Sequence, residues 1–256
     1  MTQLKQAETF SHLHQPGNPL VLYNAWDAGS ANAMVAAGAS AVATGSWSVA
    51  SAQGYDDGEA IELDLLVRIV ERIVATIHVP VSVDFEGAYS TDPTQAAANV
   101  ERLMTVGAVG INFEDQVIGG SGLHDVDEQC ARIAAIRDVA RRAGIPLFIN
   151  ARTDIFLQAP PEQSHAQLIG EATHRAKAYA NAGASGMFVP WLKDLNLIRD
   201  FCTACPLPVN IMMRDGAPSA QALASAGVAR ISHGPGPYRR MVEQLEQAAQ
   251  AVYGSL

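Results

Sequence analysis

Hydrophobic residues form eight short runs along the chain, and most runs are followed by a longer segment with helical periodicity. Most of these runs are continuous, as expected for strands whose two faces are both covered. The eight predicted strands are 19–24, 40–44, 80–84, 110–114, 146–150, 186–189, 208–211 and 228–232. In the longest predicted helix, Leu66, Ile69 and Ile73 share one face.

A loose repeat built around Ala-Gly-Ala separates several predicted helices from the strand that follows. It occurs at 37–40, 106–109, 182–185 and 226–229, where glycine suits the end of a helix. Alternating strands and helices imply parallel strands. Eight such units in 256 residues predict an α/β fold, with residues 1–256 forming a single (β/α)8 barrel domain. A doubly wound open sheet is the alternative, although no Gly-x-Gly-x-x-Gly follows the first strand.

Composition and charge restrict the possible partners. The apolar content of 48% is ordinary for a soluble globular protein, and the net charge of −9 argues against a nucleic-acid partner. No apolar run reaches the length of a membrane span, the first residues lack the core of a signal peptide, and three cysteines give no disulfide framework. We therefore expect a cytoplasmic protein with no membrane partner.

Acidic residues stand where predicted strands end. Asp84 and Glu86 close the third strand, two positions apart, so an ideal strand would direct them to the same side. Glu114 closes the fourth strand. Active sites of barrels gather at this end of the strands, and converging carboxylates raise one another's pKa unless a cation is present. Mg²⁺ or Mn²⁺ would suit these oxygen ligands, whereas solvated acidic residues at the barrel rim are the alternative.

Groups that could bind an anion lie at the same end. Arg152, just past the fifth strand, could bind a carboxylate or phosphonate through two hydrogen bonds, or it could form a structural salt bridge with Asp154 or Glu114. Backbone N–H groups around Gly45, Ser46 and Trp47 could also face an anion. In the turn at 54–58, Asp57 is expected either to cap the next helix or to act at the metal or in catalysis.

Four further residues are candidates because of their positions. His124 belongs to a glycine-rich segment after the fourth strand, which suggests a lid and a catalytic role. His233 ends the eighth strand, where it would either contact substrate or form a structural turn. Trp26 and Asn210 stand at the ends of the first and seventh strands and are predicted to contact substrate.

Six sequence motifs together resemble the isocitrate lyase/phosphoenolpyruvate mutase superfamily. They are Asn24-Ala-Trp-Asp27, Thr44-Gly-Ser46, Asp57-Gly-Glu59, Val83-Asp-Phe-Glu-Gly87, Phe113-Glu-Asp-Gln116 and Ile149-Asn-Ala-Arg-Thr-Asp154. The resemblance implies a barrel whose last helix is exchanged between subunits of a dimer or tetramer. It also implies Mg²⁺ at Asp84, with Asp57, Glu86 and Glu114 holding metal-bound waters. Gly45, Ser46 and Arg152 would grip the carboxylate and 2-oxo end of a substrate.

The chain departs from the superfamily at the lid, which makes it a divergent, phosphonomutase-like member. Residues 117–124 contain neither the Lys-Lys-Cys-Gly-His of the lyases nor the Lys-x-Asn-Ser of the phosphonomutases. The expected function is a Mg²⁺-dependent lyase or decarboxylase that cleaves a C–C bond of a small 2-oxo or 2-hydroxy acid through an enolate. The alternative is C–P chemistry, by a phosphonomutase or phosphonopyruvate hydrolase. A metal-free binding protein and a Schiff-base aldolase using Lys193 are further alternatives.

Overall fold

The computed structural model describes residues 2–160 and 162–255 and contains eight strands within a ring of helices. The strands are β1 (Leu20–Leu22), β2 (Val42–Ala43), β3 (Val81–Asp84), β4 (Gly110–Glu114), β5 (Phe148–Arg152), β6 (Gly186–Phe188), β7 (Val209–Met212) and β8 (Arg230–Ser232). The helices are α1 (Gln3–His12), α2 (Ala28–Ala36), α3 (Ser46–Ala52), α4 (Leu63–Thr76), α5 (Pro93–Thr105), α6 (Val126–Arg142), α7 (His165–Ala182), α8 (Leu195–Ala204), α9 (Ala220–Ser225) and α10 (Gly236–Tyr253).

The strands form a nearly closed barrel. All paired strands are parallel, and the order runs from β2 through β3 to β8 and then to β1. A further parallel bridge joins Ala25, just after β1, to Thr44, just after β2, and completes the ring. The predicted (β/α)8 barrel is confirmed, and the open-sheet alternative is excluded because β1 pairs with β8.

Side chains alternate between the outer and inner faces of the barrel. Val83, Ile111 and Ile149 are fully buried within the large apolar cluster that includes residues of the surrounding helices. Between them, Asn112 and Asn150 face the interior, where the Asn150 Nδ2 donates to the Asn112 Oδ1 over 2.9 Å. Both faces of these strands are therefore covered, as predicted, and the inner face is polar at Asn112 and Asn150.

Helix α1 closes the amino-terminal end of the barrel. Phe10 is fully buried and meets Phe148, the first residue of β5, edge to face with ring centroids 5.5 Å apart. Gly110, the first residue of β4, is required here because a Cβ would lie 2.7 Å from the Phe10 ring. The opposite, carboxyl-terminal end of the barrel is left open by α1.

Helix α10 projects from the barrel with little contact to it. Pro237 is its single buried residue, whereas Val242, Leu245 and Val252 are exposed on one face. Among the described residues, no helix combines the length and apolar character needed to cross a membrane.

We expect Phe10→Ala to lower the free energy of unfolding by about 3–5 kcal/mol, because it leaves a cavity between α1 and the barrel floor. Thermal and urea unfolding would measure the loss. Leu4→Ala, on the same helix but 45% exposed, is the control and should change stability by less than about 1 kcal/mol. Equal losses in the two variants would contradict a plugging role for Phe10.

Candidate active site

A cleft of about 870 Å³ opens at the carboxyl-terminal ends of the strands, the end at which barrel enzymes place their active sites. Its wall contains residues from the strand ends, the loops after them and the start of α10. Seven of the predicted site residues line it: Gly45, Ser46, Trp47, Asp57, Asp84, Arg152 and His233.

Asp84 is the best anchored carboxylate in the cleft. Its Oδ2 accepts from the backbone N–H of Ser46 over 3.0 Å, and its Oδ1 accepts from the Asn112 Nδ2 over 3.0 Å. Ser46 begins α3, where free N–H groups favour a negative charge. The backbone N–H of Asp84 donates in turn to the Thr44 Oγ1. The carboxylate is therefore fixed from both sides at the last residue of β3.

Glu86 lies near Asp84 but does not line the cleft. The strand ends at Asp84, and Glu86 adopts a left-handed φ of 50°, so the prediction from strand alternation was wrong here. Its carboxylate accepts from the backbone N–H groups of Gly58 (2.9 Å) and Glu59 (3.2 Å). Burial, together with Asp57 and Asp84, raises the pKa of Glu86 to about 8. Glu86 thus connects β3 to the turn that carries Asp57.

Asp57 faces the cleft from the turn before α4. That helix begins after Glu62, so Asp57 does not cap it and the capping alternative is excluded. Burial and the neighbouring Asp84 raise the pKa of Asp57, and a hydrogen bond with the Ser46 side chain acts in the opposite direction. Asp57 and Asp84 are therefore two carboxylates near each other on the cleft wall.

Arg152, the last residue of β5, forms salt bridges with two acidic residues, one in β4 and one just after β5. Its guanidinium pairs with the Glu114 Oε2 over 2.8 Å and with the Asp154 Oδ1 over 2.8 Å. The structural salt bridges considered as an alternative are thus present, and Arg152 also lines the cleft. Burial raises the pKa of Glu114 well above its usual range, while Arg152 acts in the opposite direction. Glu114 itself does not reach the cleft wall.

A second layer fixes the position of Asp154. The Asp115 Oδ1 accepts from the backbone N–H of Asp154 over 3.0 Å. The Asp115 Oδ2 accepts from the Tyr179 hydroxyl over 2.8 Å and pairs with Arg175 over 3.2 Å. Sequence reasoning missed Tyr179 and Arg175, which lie about one turn apart on α7. A charged and an aromatic residue at that spacing on one helical face were the available signal.

Besides Glu86 and Glu114, three further predicted site residues do not line the cleft. Asn210 is buried in the barrel interior, where its Nδ2 donates to the Ser232 Oγ over 3.1 Å. Trp26 packs edge to face on Tyr238. His124 is buried beside Glu128, and its carbonyl accepts from Arg175. Lys193, the residue of the Schiff-base alternative, is exposed outside the cleft.

Sequence reasoning also missed two polar residues that matter to the site. Asn112 holds Asp84 from within the barrel, and Arg214 lines the cleft three residues beyond the predicted end of the seventh strand. Asn112 was hidden in an apolar run. A charged residue just after a strand was a sufficient signal for Arg214.

The arrangement suits a Mg²⁺ ion that binds one or two carboxylates and keeps several waters, and it does not suit an ion surrounded by carboxylates. Within 2–160 and 162–255, no group of three or more His, Cys, Asp or Glu side chains is placed to hold one ion. Glu86 is occupied by backbone N–H groups and Glu114 by Arg152. Asp84 and Asp57 remain at the cleft, and Mg²⁺ typically takes one or two carboxylates and keeps several waters. Their mutual repulsion is what a divalent cation would relieve.

Comparison with known proteins gives a consistent family. The family model described as phosphoenolpyruvate phosphomutase matches residues 10–253. An uncharacterized protein of Mycobacterium tuberculosis is 35% identical over 244 residues, which cover 95% of this chain and 88% of the relative. The 2-methylisocitrate lyase of Escherichia coli is 26% identical over 261 residues, with 95% and 85% covered.

A solved structure is also similar over the whole chain. A candidate phosphonomutase from Burkholderia cenocepacia superposes with a TM-score of 0.94 and is 45% identical. The match covers 99% of this chain and 100% of that one. The similarity therefore extends over the barrel, its open cleft end and the last helix.

The raised pKa of Glu86 predicts that the folded state loses stability as the pH rises. Because its pKa is raised in the folded state, its contribution to stability is full below about pH 4.5 and is lost as the pH rises through about 8. The loss is at most roughly 5 kcal/mol, since one pKa unit corresponds to about 1.4 kcal/mol. With EDTA present, Glu86→Gln should remove this loss, and urea unfolding across that pH window would measure it. Parallel pH profiles for wild type and variant would contradict the assignment.

Proposed function

Because the chain belongs to the phosphoenolpyruvate phosphomutase family, within the isocitrate lyase/phosphoenolpyruvate mutase superfamily of enzymes, we propose that it is a Mg²⁺-dependent lyase or decarboxylase. Its substrate would be a small 2-oxo or 2-hydroxy di- or tricarboxylic acid, cleaved at a C–C bond through an enolate. The observation that carries this proposal is that Asp84 and Arg152 both line one cleft.

The two residues suit the two charges of such a reaction. Mg²⁺ held at Asp84, with Asp57 nearby, would supply positive charge to the 2-oxygen of the substrate. Asn112 and the Ser46 N–H hold the Asp84 carboxylate in one orientation. Arg152 would bind the substrate carboxylate through N–H groups that its two acidic partners leave free. Gly45 and His233 complete the surface around that end of the substrate.

Residues 117–124, the segment proposed to supply proton transfer, contain neither the Lys-Lys-Cys-Gly-His expected of a lyase nor the Lys-x-Asn-Ser expected of a phosphonomutase. Gln116 and Leu123 pair as an antiparallel bridge, and the Val117 N–H donates to the Gly122 carbonyl. This segment does not line the cleft, so His124 would need movement of the segment to reach a substrate. We propose that His124 acts in catalysis after such a movement, which the glycines at 119, 120 and 122 allow.

C–P bond chemistry is the second candidate. The 45% identity to a candidate phosphonomutase favours it. The substrate would then be phosphonopyruvate or a similar phosphonate, held at the same metal and by the same arginine.

The metal and the bond that breaks can be tested together. We expect pyruvate or another 2-oxo product from a panel of 2-oxo and 2-hydroxy acids, and no product once EDTA removes Mg²⁺. Asp84→Asn should lower kcat/KM by at least about 1,000-fold, because it removes the charge that anchors the metal. Asp64→Asn, an exposed acid on α4, is the matched control and should retain activity.

Turnover that persists in EDTA would exclude both the lyase and the C–P proposals. Product from phosphonopyruvate alone would select the second candidate over the first.

We also propose that the chain forms a homo-oligomer, a dimer or tetramer, through α10. This helix leaves its apolar face exposed, with Leu245 64% and Val252 62% accessible, and exposed apolar faces of this kind mark contact surfaces. A neighbouring subunit would cover the face by accepting the helix.

Charges placed on that face should break the assembly. We expect the double variant Leu245→Glu/Val252→Glu to have a lower molar mass than wild type in sedimentation or light-scattering measurements, because buried unpaired carboxylates are costly. Gln244→Glu/Gln247→Glu adds the same charge to other faces of α10 and should keep the wild-type mass. Identical masses for wild type and both variants would exclude assembly through this face.

A further inference from the structure

Arg214 is a cleft arginine that the proposed chemistry does not use. It follows β7 and lies over Trp191, with its guanidinium carbon 3.2 Å from the centroid of the ring. Its Nη1 is buried and has no hydrogen-bond partner among the described residues. Burial lowers the pKa of Arg214, and the adjacent, exposed Asp215 only partly offsets this. Arg214 lines the cleft and, unlike Arg152, forms no salt bridge with an acidic side chain of the described residues, so its position points to an anionic ligand.

The other cations of the cleft differ from Arg214. Arg152 is already paired with Glu114 and Asp154. Arg239 and Arg240 are exposed on α10, where Arg240 also donates to the Tyr23 hydroxyl. Water screens such exposed charges. Arg214 alone among these four combines a stacked, partly buried position with an unused buried donor.

We propose that Arg214, held against Trp191, binds a second carboxylate of the substrate, one that the reaction leaves in the product. This inference rests on the proposed function, which places the first carboxylate and the 2-oxygen between Asp84 and Arg152. Stacking fixes the plane of a guanidinium while leaving its N–H edge free for the two oxygens of a carboxylate. The substrate is therefore a di- or tricarboxylic acid rather than a monocarboxylic one.

The position of the Arg214 charge also favours cleavage of one substrate bond over cleavage of another. In decarboxylation the bonding electron pair passes into the enolate and the distal carboxylate departs as neutral CO₂. Arg214 would lose its partner in the transition state, which would slow that step. In cleavage between C2 and C3 of a 2-hydroxy acid, a base takes the hydroxyl proton, C2=O forms and the electron pair passes to C3. A proton then adds at C3.

Charge therefore grows beside the distal carboxylate in C2–C3 cleavage, and a guanidinium there stabilises it. Arg214 thus selects C2–C3 cleavage of a dicarboxylic 2-hydroxy acid from the reactions that the proposed function allows.

Calorimetry with two probes in the presence of Mg²⁺ tests the site. Oxalate can occupy the metal and Arg152 but has no distal group, whereas malate carries a second carboxylate. Arg214→Met should weaken malate binding by about 30-fold through loss of a charge-assisted pair, and should change oxalate binding by less than about twofold. Arg214→Lys should recover part of the malate affinity. Arg199→Met, at an exposed arginine of α8 outside the cleft, is the matched control and should leave both affinities near wild type.

The outcomes separate this inference from the function on which it rests. If oxalate does not bind the wild type, the result counts against the proposed function. The change in malate affinity in Arg214→Met still shows whether Arg214 binds a second carboxylate. Unchanged malate binding in Arg214→Met, or equal losses for Arg214→Met and Arg199→Met, would overturn the inference. Weaker binding of phosphonopyruvate with unchanged malate binding would identify a phosphonate site and overturn it as well.

Discussion

Repulsion among carboxylates at one end of the barrel is the constraint around which the neighbouring structure is arranged. Burial and the nearby charge of Asp84 raise the pKa of Asp57, Glu86 and Glu114. Backbone N–H groups compensate the carboxylate of Glu86, and Arg152 compensates that of Glu114. Asp84 and Asp57 receive less compensation from cations. The unbalanced charge is thus concentrated where the cleft opens.

The barrel interior supports this arrangement from below. Arg230, which is 1% exposed, donates to the Asn112 Oδ1 over 3.2 Å, and Asn150 donates to the same oxygen. With its oxygen occupied by two donors, the Asn112 amide must direct its Nδ2 toward Asp84. A cation sealed in the barrel therefore acts on the cleft through one amide, and a direct salt bridge to the acidic group is not needed.

Much of this could be predicted from the sequence because local patterns carry it. Eight strand positions, the barrel and the cleft-facing Ser46, Asp84 and Arg152 follow from periodicity and from which residues close each strand. The errors occur where the chain leaves regular structure. Glu86 follows a strand end with positive φ, so alternation no longer applies to it. Asn210 lies within β7 and not beyond it, so its side chain stays inside the barrel. The partner in a contact between distant segments, such as Asp115 with Arg175, cannot be assigned from the local pattern of either segment.

The double ion pair of Arg152 has a consequence for how a ligand is recognised. A guanidinium held on two edges by Glu114 and Asp154 cannot swing to follow an incoming group. Its remaining donors are preorganised, so little side-chain entropy is lost when an anion docks. At the proposed substrate site, the same rigidity would exclude anions whose oxygen atoms have a different spacing or angle. Fixed geometry would then replace side-chain adaptability at the position where the substrate carboxylate is proposed to bind.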